Sequence, residues 1–421
     1  MTAAPAVLSS TQAQFLADPH LQGLFDLIEA AGGEARVNGG AVRNALLAEP
    51  IREVDLSTNL LPEAVTAVLD AGGIKVVATG IEHGTVTAVA GGRGYEITTL
   101  REDVETRGRH AVVRFGTDWH ADAMRRDFTM NALYCDRNGR LFDPLGGFAD
   151  LRARRVRFIG SAEARIREDY LRILRFFRFY AWYGDGRPDA EGLKACARNR
   201  EFLSYLSAER VWHELKRILA APDPVRAVLW MRTAGVLAVA LPEGGDWGID
   251  MLGEVVAIER EQRCPPDPLL RLMSVVPPRL DRVAALAVRL KLSRQERARL
   301  EDWAHQAIPD YSVPNRMFAR ELYRSKRQAV IDALVVELAR ERTYQGRTRR
   351  ASALAAKLTF ARRWQAPTFP LAGRDLIEAG IGAGPRMGEL LARLEQAWVE
   401  RDFRPGHQEL LDEAVRLARG N

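Results

Sequence analysis

The chain is predicted to be an α+β N-terminal part, a mixed sheet with helices, followed by an all-α remainder. Two observations carry this. Before about residue 160, short β-like runs alternate with glycine-rich turns. After it, apolar residues recur at spacings of three and four, the period of a helix with one buried face.

In the first part, Ala35–Asn38, Glu53–Ser57, Lys75–Thr79, Thr85–Ala90, Tyr95–Leu100 and Ala132–Asp136 read as strands. Gly91-Gly92-Arg93-Gly94 and Arg137-Asn138-Gly139-Arg140 read as hairpin turns, because glycine and asparagine accept positive φ. Leu21–Ala31, Ala41–Ala48 and Leu61–Ala71 read as helices between them. In the second part the helical runs are Ala162–Tyr183, Ala208–Ala220, Pro224–Ala234, Arg279–Leu290, Ser293–Ala307, Arg316–Arg340 and Met387–Arg401. Prolines at 265, 266, 268, 277 and 278 punctuate that half.

With 421 residues, 47% hydrophobic and 28% charged, the composition is that of a folded chain of two or three domains. It excludes a wholly disordered protein and a collagen-like fibre. Cys135, Cys196 and Cys264 are far apart and outside any CxxC pair. That excludes a disulfide framework and a zinc ribbon, and points to reduced cysteines in a cytoplasmic protein. Met1 to Ser10 does not read as a secretory signal, and no apolar run is long enough to predict a membrane span. The net charge is +6, yet Pro314 to Arg363 alone holds 13 Lys plus Arg against 4 Asp plus Glu, a local +9. Arg316, Arg320, Arg324, Lys326, Arg327, Arg347, Arg349, Arg350, Arg362 and Arg363 belong to this basic run. Such a stretch suits a polyanion held by its phosphates, or simply a solvated helical face.

The chemistry-bearing residues begin at Val37-Asn38-Gly39-Gly40-Ala41-Val42-Arg43, a strand ending in two glycines before a helix. Glycines admit a ligand close to the backbone, and a helix N-terminus presents free N–H groups to phosphate. Arg43 on the first turn would clamp a second phosphate oxygen. Alone, Gly39-Gly40 is an ordinary turn. Glu53-Val54-Asp55 adds two carboxylates on one face of a strand. Glu96 is a third, alternating with Tyr95 and Ile97. Three carboxylates beside a phosphate loop suit Mg²⁺, a hard ion that binds oxygen and substrate phosphates, with Glu53 and Asp55 as its ligands. The set would serve two-metal phosphoryl transfer.

A second cluster lies at Glu168-Asp169-Tyr170-Leu171-Arg172. On one continuous helix Asp169 and Arg172 are neighbours at i, i+3, and Arg175 and Arg178 extend the row. A carboxylate accepts from an exocyclic amine, and a guanidinium donates to ring acceptors. Cytosine and adenine both present that edge; guanine and uracil present the reverse and would leave buried groups unpaired. An ordinary helical salt bridge remains the plainer reading of the same residues. The charged segment between Leu100 and Met124 reads equally as a mobile loop or as a solvated hairpin. His110 and His120 have no partner at ligand spacing and are not expected to bind metal.

Gly39-Gly40-Ala41-Val42-Arg43-Asn44-Ala45-Leu46-Leu47 with Glu53-Val54-Asp55 resembles the signature of the polymerase-β nucleotidyltransferase superfamily. More narrowly it resembles class II tRNA nucleotidyltransferases and bacterial poly(A) polymerases. The resemblance continues through Thr98-Thr99-Leu100-Arg101, Arg125-Arg126-Asp127-Phe128-Thr129-Met130-Asn131-Ala132-Leu133, Phe142-Asp143-Pro144-Leu145-Gly146-Gly147 and Glu168-Asp169-Tyr170-Leu171-Arg172. It covers about residues 35 to 220. One position departs: the family usually has Asp where this chain has Glu53.

The resemblance implies a nucleotidyltransferase head over 1–157, a helical neck that reads the base over 158–222, and a body and tail that hold tRNA over 223–421. Arg125, Arg126 and Asp127 would hold the nucleotide, with Asp127 at the ribose, Arg126 at the triphosphate and Asn131 assisting at the ribose. Asp169 and Arg172 would read the incoming base. A loop after Leu100 would serve the switch from C to A addition. The implied activity is template-independent addition of CCA to tRNA from CTP and ATP, with no membrane or DNA partner. The head motifs are shared with poly(A) polymerases and with enzymes adding only CC or only A, and spacing leaves those open.

Overall fold

In the computed structural model, residues 6–77, 80–81, 84–107, 110–245 and 247–419 are described. Between 102 and 113 the description covers backbone alone. The chain forms two units, Met1–Pro242 and Glu243–Asn421.

The first unit is built on a seven-stranded sheet. Its strands are β1 (Ala35–Asn38), β2 (Leu56–Thr58), β3 (Lys75–Val77), β4 (Thr85–Ala90) and β5 (Arg93–Thr99). After a separate hairpin of β6 (Arg101–Arg107) and β7 (His110–Phe115) come β8 (Tyr134–Cys135) and β9 (Leu141–Phe142). The order across the sheet is β3-β4-β5-β2-β1-β8-β9. Only β2 with β5 is parallel, with Leu56 opposite Ile97; the other pairs are antiparallel. The turn between β4 and β5 places Gly91 and Gly92 at φ +57° and +75°, as the sequence predicted.

Helices α1 (Pro19–Ala30), α2 (Gly40–Leu47) and α3 (Pro62–Ala71) surround the early strands. They bury Leu21, Leu24, Phe25 and Ile28 from α1 with Val65 and Leu69 from α3. Asp18 caps α1 by accepting from the His20 N–H at 3.0 Å. After α4 (Trp119–Met124) and α5 (Gly147–Arg152), the chain turns helical through α6 (Ala162–Glu168), α7 (Leu171–Tyr183), α8 (Ala190–Asn199) and α9 (Ala208–Leu219). The Phe176 ring of α7 stacks on Phe158 at 5.6 Å and 9°, and Phe128 lies 4.8 Å from Phe158. Sheet-side and helical residues therefore share one aromatic core.

Three expectations are corrected, and one left open is decided. The strand expected from Glu53 begins at Leu56, so Glu53, Val54 and Asp55 lead into it. Of the loop and the hairpin left open after Leu100, the chain forms the β6–β7 hairpin, Arg101 opposite Phe115 through Arg107 opposite His110, with a bulge between Asp103 and Glu105. The helix expected over Ala162–Tyr183 breaks at Asp169, whose backbone is extended (φ −152°, ψ 108°). The helix expected over Arg316–Arg340 breaks at extended Ser325 into Asn315–Arg324 and Arg327–Gln345. The last residues of the expected strand Lys75–Thr79, and Gly108 with Arg109, lie outside the described residues.

The second unit is helical throughout its described residues. Arg327–Gln345 runs through it with Val330, Leu334, Val335, Leu338 and Ala339 buried. Leu376, Leu394, Trp398, Leu410 and Ala414 make a further core near the end of the chain. Much of the basic run is spent on internal pairs. Arg320 bonds Asp402 at 2.7 Å, Lys326 bonds Asp302 at 2.7 Å, and Arg350 bonds Glu341 at 2.7 Å. Arg327 donates to the Ala361 and Arg362 carbonyls at 2.9 and 2.6 Å. Arg316, Arg347, Arg349 and Arg363 remain exposed. Among the described residues no helix is long and apolar enough to cross a membrane.

Candidate active site

A cleft of about 450 Å³ opens in the first unit. Five arginines line it, Arg43, Arg126, Arg172, Arg175 and Arg210, against three aspartates, Asp55, Asp127 and Asp169. That surplus of positive charge favours a polyphosphate ligand.

One end is the Gly39-Gly40 turn between β1 and α2. Gly39 sits at φ +57° and ψ −109°, and a Cβ there would lie 3.3 Å from Arg126 Nη1. The turn thus needs glycine both for its backbone angles and for the guanidinium packed beside it. Arg126 is fixed from several sides. Its Nη1 donates to Asn38 Oδ1 at 3.0 Å, its Nη2 to Asp122 Oδ2 at 3.0 Å, and its Nε to Tyr134 Oη at 3.0 Å. The Asp122 side chain is fully buried. Burial would raise its carboxyl, but Arg126 and then Arg125 outweigh burial and hold it below the usual range. Arg125 is spent on Asp122 Oδ1 at 2.7 Å and does not line the cleft.

A chain of bonds then crosses from the sheet side to α7. Arg43 Nη1 donates to Asn131 Oδ1 at 2.6 Å, and Asn131 Nδ2 donates to Asp127 Oδ1 at 2.9 Å. Asp127 Oδ2 accepts from Arg175 Nε at 2.9 Å. Arg43 Nη2 donates to Tyr183 Oη at 2.8 Å, with the guanidinium 4.1 Å from that ring. Burial alone would raise the Asp127 carboxyl; Arg175, Asn131 and the Phe128 N–H outweigh it and hold it at about 2. Arg43 and Asp127 line the cleft as expected, and both are also bonded to Asn131 between them.

Opposite lies the break between α6 and α7. Asp169 Oδ1 accepts from the Leu171 N–H at 3.1 Å, and Oδ2 accepts from Arg210 Nη2 at 2.6 Å. Arg172 is held by Glu168 and by the Arg165 carbonyl, to which its Nη1 donates at 2.8 Å. Asp169 and Arg172 therefore share the cleft without being the i, i+3 helical pair the spacing suggested. Arg178, the last of the expected row, turns away to Glu214 at 2.9 Å; burial pushes its guanidinium down to about 10.

The acidic corner gathers around Asp55. The Asn38 N–H donates to the Asp55 carbonyl at 2.9 Å, which extends the ladder beyond β2. The pairing of Leu56 with Ile97 sets Asp55 beside Glu96 on the neighbouring strand. Burial, then the Glu96 and Glu53 carboxylates, raise Asp55 to about 6. Glu53 and Glu96 are themselves exposed and do not line the cleft. Among the described residues no three Asp, Glu, His or Cys side chains are gathered to hold a metal ion unaided. Of the three carboxylates read from the sequence, Asp55 lines the cleft, and Glu53 and Glu96 lie exposed beside it as an open acidic corner. Such a corner fits a divalent cation that takes its other ligands from phosphate and water.

Arg210, Asn38, Phe179, Tyr183 and Asp122 were not singled out from the sequence. Arg210 meets Asp169 across 41 residues, and Arg43 meets Tyr183 across 140. No local spacing signals such pairs.

Residues 35–157 match the family described as the poly(A) polymerase head domain. Residues 187–246 match the one described as a probable RNA and SrmB-binding site of polymerase A. The mitochondrial CCA tRNA nucleotidyltransferase 1 of Mus musculus is 35% identical, over 96% of this chain and 92% of its own. The CCA-adding enzyme of Geobacillus thermodenitrificans is 38% identical over 53% of this chain and 55% of its own. The structure of the Bacillus stearothermophilus CCA-adding enzyme in complex with CTP superposes with a TM-score of 0.71 at 27% identity, covering 98% of this chain and 99% of that one. These likenesses define a nucleotidyltransferase with a head of the poly(A) polymerase type. Within that class the chain belongs to the CCA tRNA nucleotidyltransferase family. Enzymes of the wider superfamily use a divalent metal ion.

Proposed function

We infer that this chain adds CCA to the 3′ end of tRNA without a nucleic-acid template, taking two residues from CTP and one from ATP. The observation that carries this is one cleft holding the Gly39-Gly40 turn, Asp55, Asp127, Asp169 and Arg172 together. The tRNA 3′-oxygen forms a bond to the α-phosphorus, the bond to the β-phosphate oxygen breaks, and pyrophosphate leaves with its electron pair.

Gly39 and Gly40 let the triphosphate approach the backbone, and Arg126 presents fixed positive charge to it. Asp127 and Asn131 set the ribose side of the cleft, with Arg43 and Arg175 holding both in place. Asp169 accepts from the exocyclic amine of cytosine or adenine, and Arg172 donates to the ring. Glu53 and Asp55 would hold Mg²⁺, which when bound polarises the attacking hydroxyl and offsets charge on the leaving group. Glu96 stands next to Asp55 to take the hydroxyl proton.

On this reading catalysis belongs to 1–157, base selection to 158–222 and tRNA holding to 223–421. The unpaired cysteines, with Cys135 and Cys196 buried, suit a reducing compartment, and we assign the chain to the cytoplasm. No DNA substrate is expected.

The test is incubation with Mg²⁺ and a tRNA ending at its discriminator base, with CTP, ATP or both, read at single-nucleotide resolution. Growth by three residues only with both nucleotides supports the reading. Long A tails would assign a poly(A) polymerase, and stopping after two C a partial enzyme. No extension with tRNA still bound would assign a noncatalytic paralogue, and Glu53→Asp would then be the rescue to try.

A further inference from the structure

The break between α6 and α7 continues outward as a row of aromatic rings. Tyr170 stands between the cleft residues Asp169 and Leu171. Its ring stacks on Phe202 with centroids 4.6 Å apart and planes 13° from parallel. Phe202 in turn lies 5.9 Å from Tyr205, at 41°. Phe202 and Tyr205 belong to the 3₁₀ helix Arg200–Tyr205, in which residues three apart eclipse, so both rings fall in one row.

Exposure rises along that row. Tyr170 is half-buried, Phe202 is 37% exposed and Tyr205 is 78% exposed. The outermost ring contributes almost nothing to the core, yet it prolongs, at a tilt, a row whose inner pair is stacked and begins next to a cleft residue. Both ends of the row are tied by the chain to cleft residues, Tyr170 to Asp169 and Tyr205 to Arg210 five positions on. Lys194 and Arg198, exposed on the helix just before it, supply positive charge. The whole of Phe202–Tyr205 lies within the 187–246 segment that matches a probable RNA-binding site.

We propose that Tyr170, Phe202 and Tyr205 form a stacking platform for the unpaired bases at the 3′ end of the RNA substrate. The choice of occupant rests on the tRNA-extending function inferred above. The chemistry suits that occupant. A 3′ end that changes with every addition cannot be held by hydrogen bonds specific to one base. Every base has a π-face, and aromatic stacking holds each of them with little sequence preference. The nearby cations would offset the phosphates between those bases.

The test uses the full chain and a tRNA lacking CCA, with 2-aminopurine as its 3′-terminal base, titrated without CTP or ATP. Stacking quenches this fluorophore. Quenching is expected with the wild type and with Tyr205→Phe, and is expected to be lost in Tyr205→Ala. RNA affinity should fall about tenfold in Tyr205→Ala, the size of one base–aromatic stack. The KM for CTP at saturating RNA should not move. Tyr205 is exposed enough for truncation to leave the fold intact. Equal quenching and affinity in wild type and Tyr205→Ala would overturn the platform and favour a protein partner for this row. So would no quenching by the wild type, or a change confined to the KM for CTP. Quenching by a wild type that extends no tRNA would instead sink the catalytic reading and leave the platform standing.

Discussion

Arg175 of α7 and Asp127 beside the sheet are bonded through Nε and Oδ2 at 2.9 Å, and this pair ties the helical wall of the cleft to its sheet-side wall. Asp127 Oδ1 accepts from Asn131 and from the Phe128 N–H, at 2.9 and 2.8 Å, so the carboxylate is fully engaged. Removing Arg175 leaves a buried charge with only neutral donors. Arg175→Met is expected to cost about 3 kcal/mol of stability, as in other broken buried pairs. Urea unfolding would show this as a lower midpoint at unchanged slope. A midpoint equal to the wild type would mean that the pair does not join the walls.

The same carboxylate predicts a pH dependence. Asp127 is held at about 2, against 3.8 unfolded. A depressed carboxyl contributes stability that is complete above about pH 4 and is lost as pH falls through about 2. The expected contribution is about 2 kcal/mol. Urea midpoints of wild type and Asp127→Asn should therefore converge between pH 5 and pH 2. A constant gap across that window would contradict the assignment.

Gly39 should not tolerate a side chain. At φ +57° and ψ −109°, and 3.3 Å from Arg126 Nη1, alanine meets both strain and contact. Gly39→Ala is expected to cost about 1–3 kcal/mol in backbone strain. It should also lower kcat/KM for CTP and ATP together by up to about 10²-fold, because Arg126 is displaced. A loss confined to one nucleotide would disprove this account.

Asp169 and Arg178 were the two ends of one expected row, and the structure separates them. Asp169 lines the cleft and Arg178 does not. Asp169→Ala is expected to erode discrimination against GTP and UTP by about 10- to 100-fold, from unpaired polar groups in the base site. Arg178→Met should lower thermal stability by orphaning Glu214 while leaving nucleotide selectivity intact. Competition assays with mixed nucleotides, run beside melting curves, distinguish the two. A selectivity change in Arg178→Met would return that residue to the site.

At the acidic corner, Glu53→Gln is expected to lower kcat by at least about 10²-fold, the usual cost of removing a preorganised charge at the reacting centre. Glu53→Asp should retain activity, because the carboxylate is kept and Asp55 and Glu96 are unchanged. Single-turnover rates with saturating tRNA and CTP check both. Equal rates for wild type and Glu53→Gln would remove Glu53 from the chemistry.

Much of this site was legible in the linear chain because each motif announces itself locally. A strand followed by two glycines and a helix, or an acidic pair leading into a strand, needs no partner to be recognised. Ten expected residues, among them Gly39, Asp55, Asp127, Asp169 and Arg172, do line one cleft. Arg125 and Arg178 were misplaced for one reason. A charged residue beside cleft-lining ones has the same spacing as they do, and only its packing partner separates them: Asp122 for one, Glu214 for the other. The unbroken helix over Ala162–Tyr183 was misread because both halves keep the same apolar period. The break is made by the Asp169 backbone and its bond to the Leu171 N–H.

From residue order alone followed the α+β head, the helical remainder, the Gly39-Gly40 turn before a helix, the acidic pair leading into a strand and the family resemblance. Those depend on local periods and short spacings. Folding in space was needed to pair Arg43 with Tyr183, Arg175 with Asp127 and Arg210 with Asp169, and to row Tyr170, Phe202 and Tyr205 beside the cleft. Such pairs join side chains tens of residues apart. Their distances are set by how helices and sheet pack, and a linear pattern carries burial and period but no distances.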